Sequence, residues 1–321
     1  MCIPGAPGEY EDHSLKLSSL GIGSEDQTMP AKQLTVSDTA DVDLLEISGL
    51  GQRHHPGGHG LQVLAVGDDE FTVLIADLEE GVTPRRFERL RLEDVLAEGE
   101  PTQGSQWEAA DGDASGRVFV LQEDPAVVFV LNPEMDELVC RIALANTTPE
   151  GDDLGLGTSP NSQGEGLVLL RNGHILVAKE KDPPVLMEYG PSEERPEGLT
   201  PDLLFATSDD FPLPQELRTE FSLLTIWHLS GSAGEAIKDI SDIAVGPDES
   251  LYLLSDESAC IAQLERSLDP AQEHLEIASL WKLPSEIEQP EGLIVTGDRT
   301  PLVAIDSGER NRNLFVLSSL D

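Results

Sequence analysis

GEGLVLLRNGHILVAKEKDPPVLMEYG, residues 164–190, holds three short apolar runs separated by Arg171-Asn172-Gly173 and by Lys181-Asp182-Pro183-Pro184. Runs of Val, Ile and Leu this short, bounded by Gly, Asp, Pro and Asn, are the pattern of β-strands joined by tight turns. The pattern recurs. Ile47-Ser48-Gly49-Leu50 leads to LQVLAVGDDE, Trp107-Glu108-Ala109-Ala110 to GRVFVLQED, Ser241-Asp242-Ile243-Ala244 to SLYLLSDES, and Pro290-Glu291-Gly292-Leu293 to PLVAIDSGE. Each copy continues into a third strand (FTVLIADL, AVVFVLNP, PVLMEYG, CIAQLE, NLFVLS), and outer fourth strands are readable at RRFERLRL, LVCRIALA, SLLTIWHL and ASLWKL. Repeats of about 40 to 60 residues with several strands each predict an all-β protein, a β-propeller. Five blades of four strands fit best. Six is the alternative and needs a blade hidden in residues 192–229; a β-sandwich does not explain the repetition. The last copy has no fourth strand before Asp321, so an N-terminal strand is expected to close the ring and remove the exposed sheet edge.

The rest of the chain is consistent with one such domain over residues 41–321, preceded by a tail, 1–40, rich in Gly, Pro, Ser and acid, with strands expected at 14–20 and 33–36. Helical periodicity is confined to inserts at 85–97 and 214–221. With 39% hydrophobic residues the chain can build a core, which excludes wholesale disorder. Its 61 acidic against 20 basic residues give a formal charge of -41, which repels phosphate backbones and excludes a nucleic-acid binder. No apolar run approaches the roughly 18 residues that span a bilayer, and the opening MCIPGAPGEYEDHS lacks the basic-then-apolar order of a signal peptide, so a cytoplasmic protein without membrane insertion is expected. Cys2, Cys140 and Cys260 have neither disulfide nor zinc-site spacing. The acid excess points either to a salt-rich surrounding, which screens self-repulsion, or to cation binding.

Two positions in the repeat are acidic more regularly than the strands around them. The first, at the start of the innermost strand, is Ser48, Glu108, Glu165, Asp242 and Glu291; the second, at the end of the next strand, is Asp68, Glu123, Glu180, Asp256 and Asp306. The two are 20 residues apart in the first copy and 14 or 15 apart in the others. Innermost strands of a propeller line its central channel, so equivalent carboxylates become neighbours. Like charges about 4 Å apart repel by about 4 kcal/mol at an effective dielectric of about 20, so such a ring must be protonated, hydrated or bridged by cations. Oxygen donors without thiolate or imidazole favour a hard cation, Ca²⁺ before Mg²⁺. Glu108, Glu165, Asp242 and Glu291 are the expected ligands, with Ser48 leaving a gap for water and the second row supporting the site. The alternative is a set of carboxylates that cap turns and accept backbone N–H groups between blades.

At these residues the sequence resembles the SdiA-regulated family of bacterial β-propellers. Gly164-Glu165-Gly166-Leu167 with Val177-Ala178-Lys179-Glu180-Lys181-Asp182-Pro183-Pro184 is similar to that family's EGL and AKEKDPP signature. Asp239-Ile240-Ser241-Asp242 with Leu253-Leu254-Ser255-Asp256-Glu257-Ser258 resembles its DISDL and LSDES segment, and Gln289-Pro290-Glu291-Gly292 its QPEG, the likeness covering residues 41–318. The resemblance implies a propeller with a central Ca²⁺ site and no particular reaction. Members are typically secreted or membrane-anchored in Gram-negative bacteria; this chain departs in its lack of a recognisable signal, in its acidity and in Ser48.

Other chemistry is weaker. Arg53-His54-His55-Pro56-Gly57-Gly58-His59 reads as a solvated loop before it reads as a transition-metal site. Lys179 and Lys181 flank Glu180, where they pair with the acids or hold an anionic ligand. Asp111-Gly112-Asp113-Ala114-Ser115-Gly116 lacks the twelfth-position Glu of an EF-hand and reads as a hairpin turn. GxSxG, Walker A, Rossmann and HExxH patterns are absent. Two functions remain: a Ca²⁺-stabilised module presenting its channel face to a small ligand or protein, and a Ca²⁺-dependent hydrolase of a phosphoester, lactone or ester, with a channel-mouth carboxylate activating water.

Overall fold

The computed structural model describes residues 30–58, 60–96, 105–146, 148–156, 164–204, 209–229, 231–265 and 274–321. The chain enters through two short strands, β1 (Lys32–Gln33) and β2 (Val36–Ala40). It then forms an antiparallel meander of β3 (Ile47–His54), β4 (Leu61–Gly67), β5 (Thr72–Leu78) and β6 (Glu88–Arg91). After a four-residue helix α1 (Glu93–Leu96), a second meander runs through β7 (Trp107–Gly112), β8 (Val118–Gln122), β9 (Val127–Leu131) and β10 (Leu138–Ala145). Helix α2 (Pro149–Asp153) precedes β11 (Leu167–Leu169), β12 (Ile175–Lys179), β13 (Val185–Gly190) and β14 (Arg218–Leu229). Helix α3 (Gly231–Ala236) leads to β15 (Asp242–Val245), β16 (Leu251–Ser255) and β17 (Cys260–Leu264), then the two-residue β18 (His274–Leu275) and the outer strand β19 (Ile277–Lys282). The last three strands are β20 (Pro290–Val295), β21 (Pro301–Ile305) and β22 (Leu314–Leu317), and β2 pairs antiparallel with β22 as their outer neighbour.

The first strands of the meanders pack side by side in a closed circuit, β3 against β7, β7 against β11, β11 against β15, β15 against β20 and β20 against β3. This is a propeller-type, all-β fold. Apolar clusters fill the space between each meander and the next, with Trp107, Trp227 and Trp281 among the largest fully buried side chains. Because most sheets are covered on both faces, β8, β9, β12 and β16 are buried at every position, which is why these strands read as continuous apolar runs and not as alternating ones.

Closure depends on the N-terminal segment. Beside the β2–β22 pairing, buried Asn313 accepts the Val42 N–H at 2.8 Å and donates through Nδ2 to the Val42 and Leu44 carbonyls at 2.9 and 3.2 Å. β1 adds parallel to β19. The strand expected at 33–36 is thus realised as two, one on each of two neighbouring sheets, and the strand expected at 14–20 lies outside the described residues.

Both expected helical inserts are corrected. Among the described residues of 85–97 the chain forms β6 and only the one turn of α1. Residues 214–221 form no helix: they follow Pro212 and Pro214 into β14, whose pairing with β10 on one side and β13 on the other overrides the local 3.6-residue period. Residues 192–229 contribute that one strand to the sheets and, among their described residues, no further meander. No helix among the described residues is long and apolar enough to cross a membrane.

Candidate acidic site at the channel mouth

Bulges at the start of the inner strands aim the first row of acids. The β3–β4 register shifts between Ile47 and Gly49, the β7–β8 register between Trp107 and Ala109, and the β20–β21 register between Pro290 and Gly292. The residues skipped are Ser48, Glu108 and Glu291, and a bulged residue is turned out of the ladder. Glu165 takes the same place: its N–H donates to the Ala178 carbonyl, while the Ala178 N–H donates to the Gly166 carbonyl. The second row follows the last residue of the neighbouring strand. Together they surround a cavity of about 440 Å³, lined by Glu108, Glu165 and Glu291 of the first row and Asp68, Glu123, Glu180 and Asp306 of the second. Ser48 lines it as well.

Asp242 is placed elsewhere. In its meander the Ser241 N–H donates to the Leu254 carbonyl, as Glu165 does to Ala178, and Asp242 pairs with Leu254. Ser241 therefore occupies the first-row position. A shift of one residue sends a side chain to the opposite side of a strand, and Asp242 falls where the other inner strands carry Gly49, Ala109, Gly166 and Gly292. Its carboxylate is buried, accepting the Leu293 N–H at 2.6 Å and the Ile243 N–H at 2.7 Å. Asp242 thus fastens inner strands together beneath the mouth. The signal lay in the spacing: Ser241 restores the 15-residue offset to Asp256 that the three copies led by Glu108, Glu165 and Glu291 keep to their own second-row acids.

Asp256 does not line the cavity, though its charge acts on Glu291. Its N–H donates to Asp239 Oδ2 and to Ser241 Oγ, both at 3.1 Å. Asp239, buried, also accepts the Glu257 N–H and the Ser255 hydroxyl, so the DISD segment builds a turn.

Burial and mutual repulsion raise the carboxyl pKa values. Desolvation, then the charges of Glu123, Asp68, Asp306 and Glu180, push Glu108 to about 8. Glu291 rises to about 9 through burial and the charges of Asp256, Glu180, Asp306 and Glu108. Glu165 lies well above the carboxylate range for the same reasons, with Glu108 and Glu291 its strongest charged neighbours. Asp68 and Asp306 are raised by burial. Burial and crowding thus favour the protonated forms of Glu108, Glu165 and Glu291 until a cation replaces the protons.

Glu46 and Gln106, which belong to neither acidic row, also line the mouth. Each stands two residues before the first-row position with φ near +50°, as does Gln289. The repeated acid or amide at that spacing was a readable signal. Glu46, Asp68 and Asp69 bring one oxygen each within 4.8 Å of one another, and Asp69 lifts the Glu46 pKa by hydrogen bonding and charge.

Lys181 lies at the rim with Nζ 2.6 Å from Glu180 Oε1, a pairing that raises its pKa. Lys179 is buried, donates to the Lys181 carbonyl, and is pulled down by desolvation. The loop after Asp111 is a hairpin turn: buried Asp113 accepts N–H groups from Ser115, Arg117 and Phe211 and pairs with the Arg117 guanidinium. His54 and His55 sit in the β3–β4 connection, where His55 Nδ1 accepts the Gly57 N–H at 2.9 Å; His59 lies outside the described residues.

A closed circuit of antiparallel meanders with polar side chains gathered at one axial mouth defines a propeller-type protein. The sequence profile of the SdiA-regulated family matches residues 114–305, and the chain belongs to that family. No curated protein matches the sequence. Among solved structures it is similar to the PQQ-bound aldose sugar dehydrogenase of Streptomyces coelicolor, at 11% identity over 90% of this chain and 99% of that one, with a TM-score of 0.44. It is similar also to the glutaminyl cyclase of Myxococcus xanthus, at 13% identity over 90% and 97% of the two chains, TM-score 0.48.

Proposed function

We propose that this chain is a Ca²⁺-binding propeller of five four-stranded blades, closed by its N-terminal strand, that presents the acidic mouth to a small ligand or protein. The observation that carries the reading is the convergence of Glu108, Glu165 and Glu291 with four second-row acids on one cavity. Repulsion there is strong enough to hold several carboxyl groups partly protonated, and a hard cation relieves it. The donors suit such an ion. Among the described residues the cavity walls supply oxygens and no thiolate or imidazole, and Asp68 Oδ1 is buried without a hydrogen-bond donor. Glu108, Glu165 and Glu291 would hold the ion, the second row would orient them, and Asp242 is left out. A wide, irregular oxygen cage suits Ca²⁺ better than Mg²⁺. Calorimetric titration of chelator-stripped protein should give a saturable Ca²⁺ isotherm and a weaker Mg²⁺ one; no heat with either rejects the reading.

The size of the mouth favours a second reading, because about 440 Å³ exceeds what an ion needs and leaves room for a small substrate. A Ca²⁺-dependent hydrolase would then use the metal to polarise a phosphoester, lactone or ester and a mouth carboxylate to activate water. Turnover of generic substrates of these classes that chelator abolishes supports it; Ca²⁺ binding without turnover leaves the binding module.

The excess of acid over the whole surface is proposed to be an adaptation to salt. Screening of repulsion should raise the melting temperature as KCl is increased to molar concentrations at fixed Ca²⁺, and a flat or falling curve counts against it.

A further inference from the structure

At the end of the ring remote from the mouth, His174 leads out of the β11–β12 hairpin and is 1% exposed. Both ring nitrogens face carboxylates. Nδ1 lies 2.7 Å from Glu188 Oε1 of β13, and Nε2 lies 2.9 Å from Glu194 Oε2, in the insertion that follows β13. Glu188 is wholly buried and its other oxygen accepts the Trp227 indole N–H of β14 at 3.3 Å. The remaining polar side chain against the ring among the described residues is Asn172 of the hairpin, whose Nδ2 lies 3.2 Å from Nδ1 and which is neutral at every pH. Arg171 beside it carries charge, but its guanidinium is bound to Asp209 and Glu249.

A neutral imidazole has one N–H and can donate to one carboxylate only; its second nitrogen would then turn a lone pair toward the other. Only imidazolium satisfies both. We propose that His174 is a pH-dependent latch, which while protonated ties the insertion at residues 191–204 to the blade core through Glu194 and releases it on losing its proton. Burial lowers the His174 pKa, but the hydrogen bonds it donates to the two glutamates, followed by their charges, outweigh that and raise it above 6.5. With a folded pKa above the unfolded one, the stabilisation is complete below the unfolded pKa and is lost as pH rises through the folded one. Release is local because Glu194 is half exposed at the surface end while Glu188 stays in the core.

Hydrogen exchange tests this at the Glu194 amide, bonded to the Pro191 carbonyl at 2.9 Å, and at the Arg171 amide, bonded to the Leu203 carbonyl at 2.9 Å. After correction for intrinsic exchange, protection at both should fall about tenfold in the parent between about pH 6 and about pH 9.5, the value of one charge-assisted hydrogen bond. Amides of β16, which report any global loss of stability as the mouth acids ionise, should fall about tenfold less. In Glu194→Gln, whose amide serves either ring state, the fall should vanish without touching the buried core. Unchanged protection in the parent, an equal fall in Glu194→Gln, or a fall as large in β16 overturns the latch.

Discussion

Glu165→Gln is expected to weaken Ca²⁺ binding by about tenfold or more while leaving the β circular-dichroism signal unchanged, because the amide keeps the volume and loses the charge. Glu193→Gln, at an exposed acid away from the mouth, should change neither. The pH dependence is equally specific. Glu108 and Glu291 titrate near 8 and 9 in the folded, ion-free protein, so Ca²⁺ must displace protons and its affinity should climb between about pH 6 and about pH 9, with protons released on binding. Ion-free stability should move the other way. A carboxyl whose folded pKa exceeds its unfolded value binds more protons when folded, so its repulsive penalty is absent below the unfolded pKa and grows as pH rises toward the folded one. The melting temperature without divalent ions should therefore drop by about 5 °C or more over that range, and saturating Ca²⁺ should remove the drop. Equal affinity in Glu165→Gln and the parent, or binding without proton release, would leave these acids as structural hydrogen-bond acceptors.

Gly51→Ala is expected to cost about 3 kcal/mol or more in urea unfolding. Gly51 stands on β3, and a Cβ there would fall on the Ala110 carbonyl of β7; at Gly49 it would lie 2.5 Å from the Glu108 carbonyl. Both obstacles are backbone of the next inner strand, which cannot retreat without opening the ring. Gly58→Ala provides the contrast. It adds a carbon with nothing within 4 Å and strains only a positive φ of 82°, so about 1 kcal/mol is expected. A Gly51→Ala protein as stable as Gly58→Ala would show that the inner strands do not approach this closely.

Most of the fold was legible because the central strands of the meanders, such as β8, β9, β12 and β16, are apolar runs closed by turns. LVCRIALA coincides with β10, and CIAQLE and NLFVLS contain β17 and β22. What failed was local periodicity where tertiary pairing decided the outcome, as in β14, which begins inside the expected helix because partners wait on both of its edges. The acidic rows were legible because each keeps a fixed place in the repeat, the first at the start of the inner strand and the second just after the end of the next. The fourth copy misled because Ser241-Asp242 offers an acid at the neighbouring position, and acidity weighed more than spacing. Glu46 and Gln106 escaped because their left-handed backbone, which aims them, leaves no mark in a search for strands.

Asp242 has a further consequence for traffic through the molecule. Its carboxylate, bonded to Ile243 and Leu293, joins the inner strands below the mouth, and the space there shrinks to about 20 Å³, room for about one water. The axial passage among the described residues is thus far narrower there, between Leu50, Leu167, Ile243 and Leu293, than at the acidic mouth. If the mouth holds an ion as proposed, the wide acidic side is its readier exit, and a ligand seated over that opening would delay its departure.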